Sequence, residues 1–148
     1  MSQPKPNYQF PPILRKSWYS LNQAFRRKIA HLAITPNHYT ILRWLTESNT
    51  ALTQKEIVTR MSSDANTIAA IITRLESKKL ITKYSDTKDK RAQRVAITAT
   101  GAHVYQAAQP IADKLQSDIL KCIPKNEQKK FLAQLTQIAQ ACQESLKD

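Results

Sequence analysis

The chain has 148 residues, enough for one domain with a hydrophobic core but too few for two independent ones. Its 23 basic and 11 acidic residues leave a formal net charge of +12, which predicts an anionic partner. A single glycine excludes glycine-rich phosphate loops, and no apolar run approaches the ~20 residues of a membrane span. We therefore expect a cytoplasmic protein with no membrane contact.

The chain begins with a proline-rich segment that gives way to a helical pattern. Residues 1–12 contain four prolines and predict an extended arm. Over residues 13–33 the apolar positions recur at helical spacing, which predicts an amphipathic helix. Thr35 is a favourable N-cap for the next helix, and Pro36 suits its first turn. The apolar positions of the first helix are Leu14, Trp18, Leu21, Phe25 and Ile29.

Residues 52–80 predict two short helices joined by a tight turn. Thr53 can cap the first helix, with Glu56 completing a capping box, and Asp64 can cap the second. The second helix has one apolar face and one small, polar or basic face, which is typical of a helix-turn-helix. The second face consists of Asn66, Thr67, Ala69, Ala70, Thr73 and Arg74.

Two short runs with β-branched residues follow, at 80–84 and 94–98, and a polar, charged segment separates them. They predict a hairpin with a basic tip, since Arg74 to Arg94 contains eight basic and three acidic residues. A recognition helix beside such a hairpin suits the major groove of duplex DNA and its flanking minor groove. Residues 35–97 therefore predict a winged helix-turn-helix with a two-stranded β-wing, within a mainly α fold.

Residues 98–148 predict two further helices. Thr98 can cap the first, which should run to about Cys122 with a kink or interruption at Pro110. Pro124 starts the last helix, which carries an apolar stripe. Because the winged-helix core cannot cover so much apolar surface, we expect a two-fold homodimer built from residues 13–33 and 98–148. The stripe consists of Phe131, Leu135, Ile138, Cys142 and Leu146.

In the order of these pieces, the chain resembles the MarR-type transcriptional regulators. The resemblance implies a triangular homodimer with two winged helices at its base, in which Asp89 pairs with Arg91 at the wing tip. Two positions depart from the family pattern: Ser62-Ser63 stand where glycine is frequent, and Ala70 stands where many members have a base-reading residue. The resemblance rests on Leu52-Thr53-Gln54, Arg74-Leu75-Glu76, Leu80-Ile81, Asp89-Lys90-Arg91 and Ile97-Thr98-Ala99-Thr100-Gly101.

DNA contacts are expected from both helices and from the wing. On the second helix, Asn66 can pair with adenine, while the threonine and alanine side chains can meet thymine methyl groups. Thr53 and Gln54 suit a phosphate contact at the start of the first helix. The alternative is a solvated helix face beside a solvated charge run. The wing residues expected to bind phosphates or enter the minor groove are Lys88, Lys90, Arg91 and Arg94.

The family is commonly controlled by a small aromatic or phenolic acid, bound where the dimer helices meet the winged helix. An indole floor with a cationic group nearby could hold such a carboxylate. In the alternative reading the tryptophans belong to the core and His38 lies at the surface, and the residues leave both readings open. The candidate ligand residues are Trp18, Asn22, Arg26, His38 and Trp44.

The remaining chemistry is sparse. Cys122 and Cys142 are expected to be buried structural thiols rather than a redox switch. No Cys/His pair has the short spacing of a zinc site, and no catalytic motif is present, so we expect no metal, no cofactor and no enzyme. The expected function is a sequence-specific transcriptional regulator, foremost a repressor. An architectural DNA-binding protein without sequence preference and a protein-interaction module remain alternatives.

Overall fold

The computed structural model describes residues 9–147, and the chain is mainly helical, as the sequence predicts. By its internal contacts the chain divides after Ile111 into two compact units. Among the helices of the described residues, none combines the length and the apolar character that a membrane span requires. In chain order the elements are α1 (Phe10–Ile29), a 3-10 turn (Ala30–Leu32), α2 (Pro36–Ser48), β1 (Leu52–Thr53), α3 (Gln54–Met61), α4 (Ala65–Ser77), β2 (Ile81–Ser85), β3 (Gln93–Ile97), α5 (Ala99–Leu120), α6 (Lys125–Glu144) and a 3-10 turn (Ser145–Lys147).

Helix α1 begins earlier than the sequence predicts. The extended arm was expected to reach Pro12, but the helix already starts at Phe10, with Pro11 and Pro12 in its first turn. Proline is tolerated there because the first backbone N–H groups of a helix have no intrahelical acceptor. The rest of the predicted arm, residues 1–8, lies outside the described residues.

The core of the first unit lies between α2, α3, α4 and the sheet. Helix α4 contributes Ile68, Ile72 and Leu75, which are fully buried and recur at helical spacing. Each such side chain stabilises the fold by roughly 1.5–3 kcal/mol relative to an exposed position. An aromatic cluster extends the core, since the Tyr39 ring lies edge-on to Phe25 and stacked with Tyr105, at centroid distances of 5.0 and 5.5 Å.

The sheet has three antiparallel strands in the order β1-β3-β2. The two wing strands are those the sequence predicts, each shifted by one residue. Strand β1 is a difference: Leu52 pairs with Val95 and Thr53 with Arg94, whereas the sequence predicts only the start of a helix there. A strand of two residues is too short to show an alternating pattern, so only its pairing with β3 reveals it.

The predicted helix caps are confirmed. The Thr53 hydroxyl accepts from the backbone N–H of Glu56 at 3.1 Å, which forms one half of the predicted capping box. Thr35 forms a complete capping box with His38: its hydroxyl accepts from the His38 N–H, and the imidazole Nδ1 accepts from the Thr35 N–H. Asp64 caps α4 through the N–H of Thr67.

Helices α3 and α4 are both followed, within two residues, by a non-glycine residue with left-handed backbone. Ser62 has a φ of 50° and Lys79 a φ of 62°. In each case the next residue donates its N–H back over a full turn, from Ser63 to the Val58 carbonyl and from Leu80 to the Leu75 carbonyl. This is the geometry of a Schellman motif, in which glycine is the preferred residue.

Helix α5 starts at the cap the sequence predicts and continues past its proline. The Thr98 hydroxyl accepts from the Gly101 N–H at 3.0 Å. Gly101 is buried, and a Cβ at this position would lie 2.1 Å from the Leu80 carbonyl oxygen. The expected interruption at Pro110 does not occur: the helix is continuous from Ala99 to Leu120.

The second unit consists of the end of α5 and helix α6. The Gln128 side-chain amide donates to the carbonyls of Leu120 and Ile123, which ties the start of α6 to the end of α5. Cys122 and Cys142 are exposed in the described chain, contrary to the expected burial. Helix α6 also exposes an apolar stripe whose members are 36–39% accessible: Phe131, Leu132, Leu135 and Ile138.

Candidate nucleic-acid interface

Helix α4 presents the face that the sequence predicts for base contact. Because Ile68, Ile72 and Leu75 point into the core, the opposite side of the helix faces outward. Ala69 is half-buried at the edge of this face. Its exposed members are Asn66, Thr67, Ala70, Thr73 and Arg74.

Two hydroxyl groups on this face are already engaged. The Thr67 hydroxyl donates to the Asp64 carboxylate at 2.7 Å, and the Thr73 hydroxyl donates to the Ala69 carbonyl at 2.9 Å. The Thr67 backbone and hydroxyl bonds also hold the pKa of the Asp64 carboxyl below its ordinary value. Both threonines therefore offer methyl groups and acceptor lone pairs rather than donors. Asn66 carries the neutral side chain best suited to a bidentate contact with a base.

The start of α3 forms a shallow cleft of about 400 Å³. Of the two predicted phosphate contacts, which are both half-buried, Thr53 lines this cleft and Gln54 follows it in the chain. The cleft also includes Lys55 and Arg60, which sequence reasoning did not assign to DNA. The Arg60 guanidinium lies 5.5 Å from the Trp44 ring centroid, close enough for a cation–π contact. Their positive charge could have suggested both residues as DNA contacts from the sequence. The contact between Arg60 and Trp44 could not have been predicted in this way, because Trp44 lies on another helix.

The wing tip, residues 86–92, is held in shape by its own backbone. The Asp86 N–H donates to the Ala92 carbonyl at 2.9 Å, and the Ala92 N–H donates to the Asp89 carbonyl at 3.0 Å. Each aspartate also accepts a backbone N–H two residues later: Asp86 from Lys88, and Asp89 from Arg91. The Lys88 N–H and then the Arg94 guanidinium hold the pKa of the Asp86 carboxyl below its ordinary value.

The basic residues of the wing fall into two groups. Lys88, Lys90 and Arg91 are exposed, and within residues 9–147 their side chains form no ion pair. The expected pairing of the Arg91 and Asp89 side chains is therefore not formed, because Asp89 binds the Arg91 backbone instead. Arg94, in contrast, is half-buried and pairs with Asp86.

The predicted ligand residues have different surroundings. Trp18 is 65% exposed on α1, where Asn22 and Arg26 follow at intervals of four and so share its face. His38 is buried, and its Nδ1 already accepts the Thr35 N–H. Burial, followed by the positive charges of Lys78 and Arg74, lowers the pKa of His38. These positions also differ from the alternative reading, in which Trp18 is core and His38 lies at the surface.

Trp44, the fifth predicted ligand residue, is half-buried, and its indole Nε1 is a buried donor without an acceptor within the described part of the chain. No group of three or more His, Cys, Asp and Glu side chains that could hold a metal ion occurs among residues 9–147.

Comparison with known proteins agrees with this winged-helix architecture. The model of the MarR family matches residues 34–92, which include α2, the two helices of the helix-turn-helix and most of the wing. The transcriptional regulator HosA of Escherichia coli O127:H6 is 27% identical over 125 residues, covering 81% of this chain and 92% of that protein. The family and this relative are regulators and not enzymes, as the sequence predicts.

Solved structures show the same fold. MepR of Staphylococcus aureus, in a crystal structure of its complex with DNA, superposes with a TM-score of 0.83 at 23% identity, covering 91% of this chain and 99% of that one. MarR superposes with a TM-score of 0.82 at 20% identity, covering 97% of both chains. The predicted fold class is thereby confirmed, and residues 34–92 match the MarR family of transcriptional regulators, which the sequence resembles.

Proposed function

We propose that the chain acts as a homodimeric, sequence-specific DNA-binding repressor on a pseudo-palindromic operator. The observation that carries the proposal is the combination of an exposed small and polar α4 face with a wing tip whose three cations have no acidic partner within residues 9–147. The α4 face suits base edges in the major groove, and the tip suits phosphates or the minor groove. The DNA-bound form of MepR supports this arrangement by analogy.

The apolar surface of the terminal helices supports a dimer. Helix α6 exposes its apolar stripe, and α1 exposes Phe10, Ile13 and Trp18. Large side chains left in water along each of these helices favour two-fold contacts, in which a helix face of one copy meets the same face of the other. Such a dimer would place two copies of α4 for half-sites about one helical turn apart. Light scattering coupled to gel filtration would test this, and a monomer at micromolar concentration would contradict it.

Binding to DNA upstream of the protein's own gene, compared with a scrambled duplex, tests the function. The two duplexes should be titrated across a salt series that includes physiological ionic strength, because phosphate contacts alone give steeply salt-dependent binding. A preference of ~10³-fold or more for the upstream duplex, with one dimer per site, supports a sequence-specific regulator. Equal binding to both would favour an architectural role, and binding to neither would favour a protein-interaction module.

The wing can be tested with Arg91→Ala. Loss of an unpaired tip cation should weaken binding to every duplex. It should also make the plot of log affinity against log salt less steep, by the amount expected for one lost phosphate contact. The matched control is Arg27→Ala, which removes the same side chain from an exposed position outside residues 35–97 that also has no ion pair within residues 9–147. An equal effect of both variants, or none for Arg91→Ala, would refute the assignment of the wing.

The recognition helix can be tested with Asn66→Ala. A lost bidentate base contact should cost ~1–3 kcal/mol of discrimination between specific and scrambled DNA. The non-specific affinity should stay unchanged, because no phosphate contact is removed. Equal losses on the two duplexes would contradict base reading by Asn66. In that case the small surface of Ala69 and Ala70 would favour recognition of DNA shape.

We further propose that a small aromatic or phenolic ligand releases the protein from DNA. The exposed Trp18 ring, with Asn22 and Arg26 on the same face of α1, supports such a site. His38 contributes less, because its Nδ1 is already used in the capping box. A ligand can act only if it binds the DNA-competent and DNA-incompetent shapes with different affinity. A titration of aromatic acids with no change in tryptophan fluorescence or in DNA affinity would contradict this proposal.

A further inference from the structure

Arg94 joins three separate parts of the winged helix. It lies on β3, the central strand of the sheet, and its Nη1 donates to the Ala51 carbonyl at 3.2 Å. Its Nε lies 3.4 Å from Asp86 Oδ1, and its Nη2 lies 3.5 Å from Asp86 Oδ2. We call this set of contacts the wing brace: it consists of Arg94, the Asp86 carboxylate and the Ala51 carbonyl.

The surroundings of the wing brace separate Arg94 from the tip cations. Its side chain is 33% accessible and that of Asp86 only 14%, whereas Lys88, Lys90 and Arg91 are exposed. All three guanidinium nitrogens have an acceptor or a carboxylate partner. To turn its full guanidinium toward a phosphate, Arg94 would have to give up its contacts with Asp86 and Ala51. The negative charge of Asp86 also offsets the positive charge of Arg94, which weakens the attraction of Arg94 for a phosphate.

The position of the wing brace gives it a mechanical consequence. Asp86 is the first residue after β2, where the tip begins, and Ala51 directly precedes β1 and α3. The base of the wing is anchored by the buried Ile81 and Val95, by the Lys83–Glu76 ion pair at 3.7 Å, and by the two-residue pairing of β1 with β3. The contacts of Arg94 with Ala51 and Asp86 reach farther out, to the residue where the tip begins. A bridge from the tip to the segment before α3 limits how far the hairpin can swing relative to the helix-turn-helix.

We propose that Arg94 is a positioning residue, which holds the wing at the angle required for DNA binding and does not itself contact DNA. This inference rests on the proposed DNA-binding function and revises the expectation that Arg94 binds phosphate. It also assigns a role to Asp86, whose negative charge otherwise opposes DNA binding.

Two aspartate variants provide a matched test. Asp86→Asn and Asp89→Asn each remove one negative charge from the wing, and each leaves an Oδ1 that can accept the backbone N–H it accepts now. Only Asp86→Asn removes the carboxylate that holds Arg94. If charge alone matters, both variants bind the upstream duplex more tightly. If the wing brace positions the wing, Asp86→Asn binds roughly two- to fivefold more weakly, while Asp89→Asn does not weaken.

Hydrogen exchange of the free proteins provides a readout that needs no DNA. The Ala92 amide donates to the Asp89 carbonyl within the tip, and its exchange should be faster in Asp86→Asn than in Asp89→Asn or the wild type. Unchanged exchange of the α4 amides of Ile68, Ile72 and Leu75, whose side chains are buried, would show that the variant is folded. The double variant Asp86→Asn/Arg94→Gln should bind DNA no more weakly than the weaker single variant, because the two residues act through one contact.

Each outcome bears on a different claim. Tighter or equal binding by Asp86→Asn, matching Asp89→Asn, would overturn the wing brace even though DNA binding stands. If the wild type bound no duplex, the proposed function would fail, and exchange alone would decide the wing brace. Unaltered tip exchange in Asp86→Asn would then overturn it.

Discussion

Replacing Gly101 by alanine tests the closest backbone approach in the winged helix. Gly101 lies in the first turn of α5, and a Cβ there would meet the Leu80 carbonyl oxygen at 2.1 Å and Ile97 Cγ1 at 2.9 Å. The same Leu80 oxygen accepts the Thr98 N–H at 3.1 Å, so it cannot turn away without loss of a hydrogen bond. The side chain of Ile97 can adjust, but the Leu80 carbonyl belongs to the backbone.

The expected cost follows from these contacts. To reach even the shortest distance that real Cβ atoms tolerate, the two backbones must separate by about 1 Å. Overpacking of this kind typically costs about 1–3 kcal/mol. Alanine recovers up to about 1 kcal/mol through its higher helix propensity. Because the close contact is with a backbone oxygen, the upper part of that overpacking range applies, at about 2–3 kcal/mol. After the gain in helix propensity, we expect Gly101→Ala to lower the free energy of unfolding by about 1–2 kcal/mol, or the melting temperature by about 2–8 °C.

Urea unfolding, followed by circular dichroism at one fixed protein concentration, measures this change, since dimer stability depends on concentration. Ala107→Gly is the control, because Ala107 is exposed in the same helix and reports helix propensity alone, at about 1 kcal/mol. A Gly101→Ala protein as stable as the wild type, or more stable, would refute the close approach to Leu80.

Three further changes have defined outcomes. Ser62→Gly or Lys79→Gly removes the steric strain of a side chain on left-handed backbone, so either variant should raise the free energy of unfolding by roughly 0.5–1 kcal/mol. A lower urea midpoint would contradict this. Thr53→Ala removes the cap of α3 and should cost about 1 kcal/mol, whereas Thr53→Ser should retain most of it, as urea midpoints will show. The pKa of His38 is lower in the folded than in the unfolded chain, where it lies near 6.5. The unfolded state therefore binds more protons, and stability should fall as the pH drops below about 6.5 and level off below the folded pKa. His38→Gln can retain a capping box without titrating, so an unchanged pH dependence of its urea midpoint would contradict a role for His38.

Much of the winged helix could be predicted because its signals are local in the chain. The caps at Thr35, Thr53 and Asp64 depend on residues three positions later, and the buried face of α4 depends on a repeat of three to four. The polar segment between two β-branched runs likewise predicts the hairpin. The exposed face of α4 and the basic tip follow from the same patterns, while their contacts with DNA stay predictions.

Other features depended on residues that are distant in sequence. Arg94 finds Ala51 across 43 positions, and no spacing rule separates an arginine with such a partner from the free cations of the tip. The burial of His38, the stacking of Arg60 on Trp44 and the approach of Gly101 to Leu80 have the same origin.

The sequence by itself thus determined which segments form helices, where the helices after α1 begin, and that a basic hairpin follows the helix-turn-helix, because propensity, capping and periodicity act within a few residues. Only the tertiary structure decided which charges stay free, which are neutralised and which small residue permits two backbones to touch. Those outcomes depend on packing that brings separate elements together, and packing is a property of the whole fold.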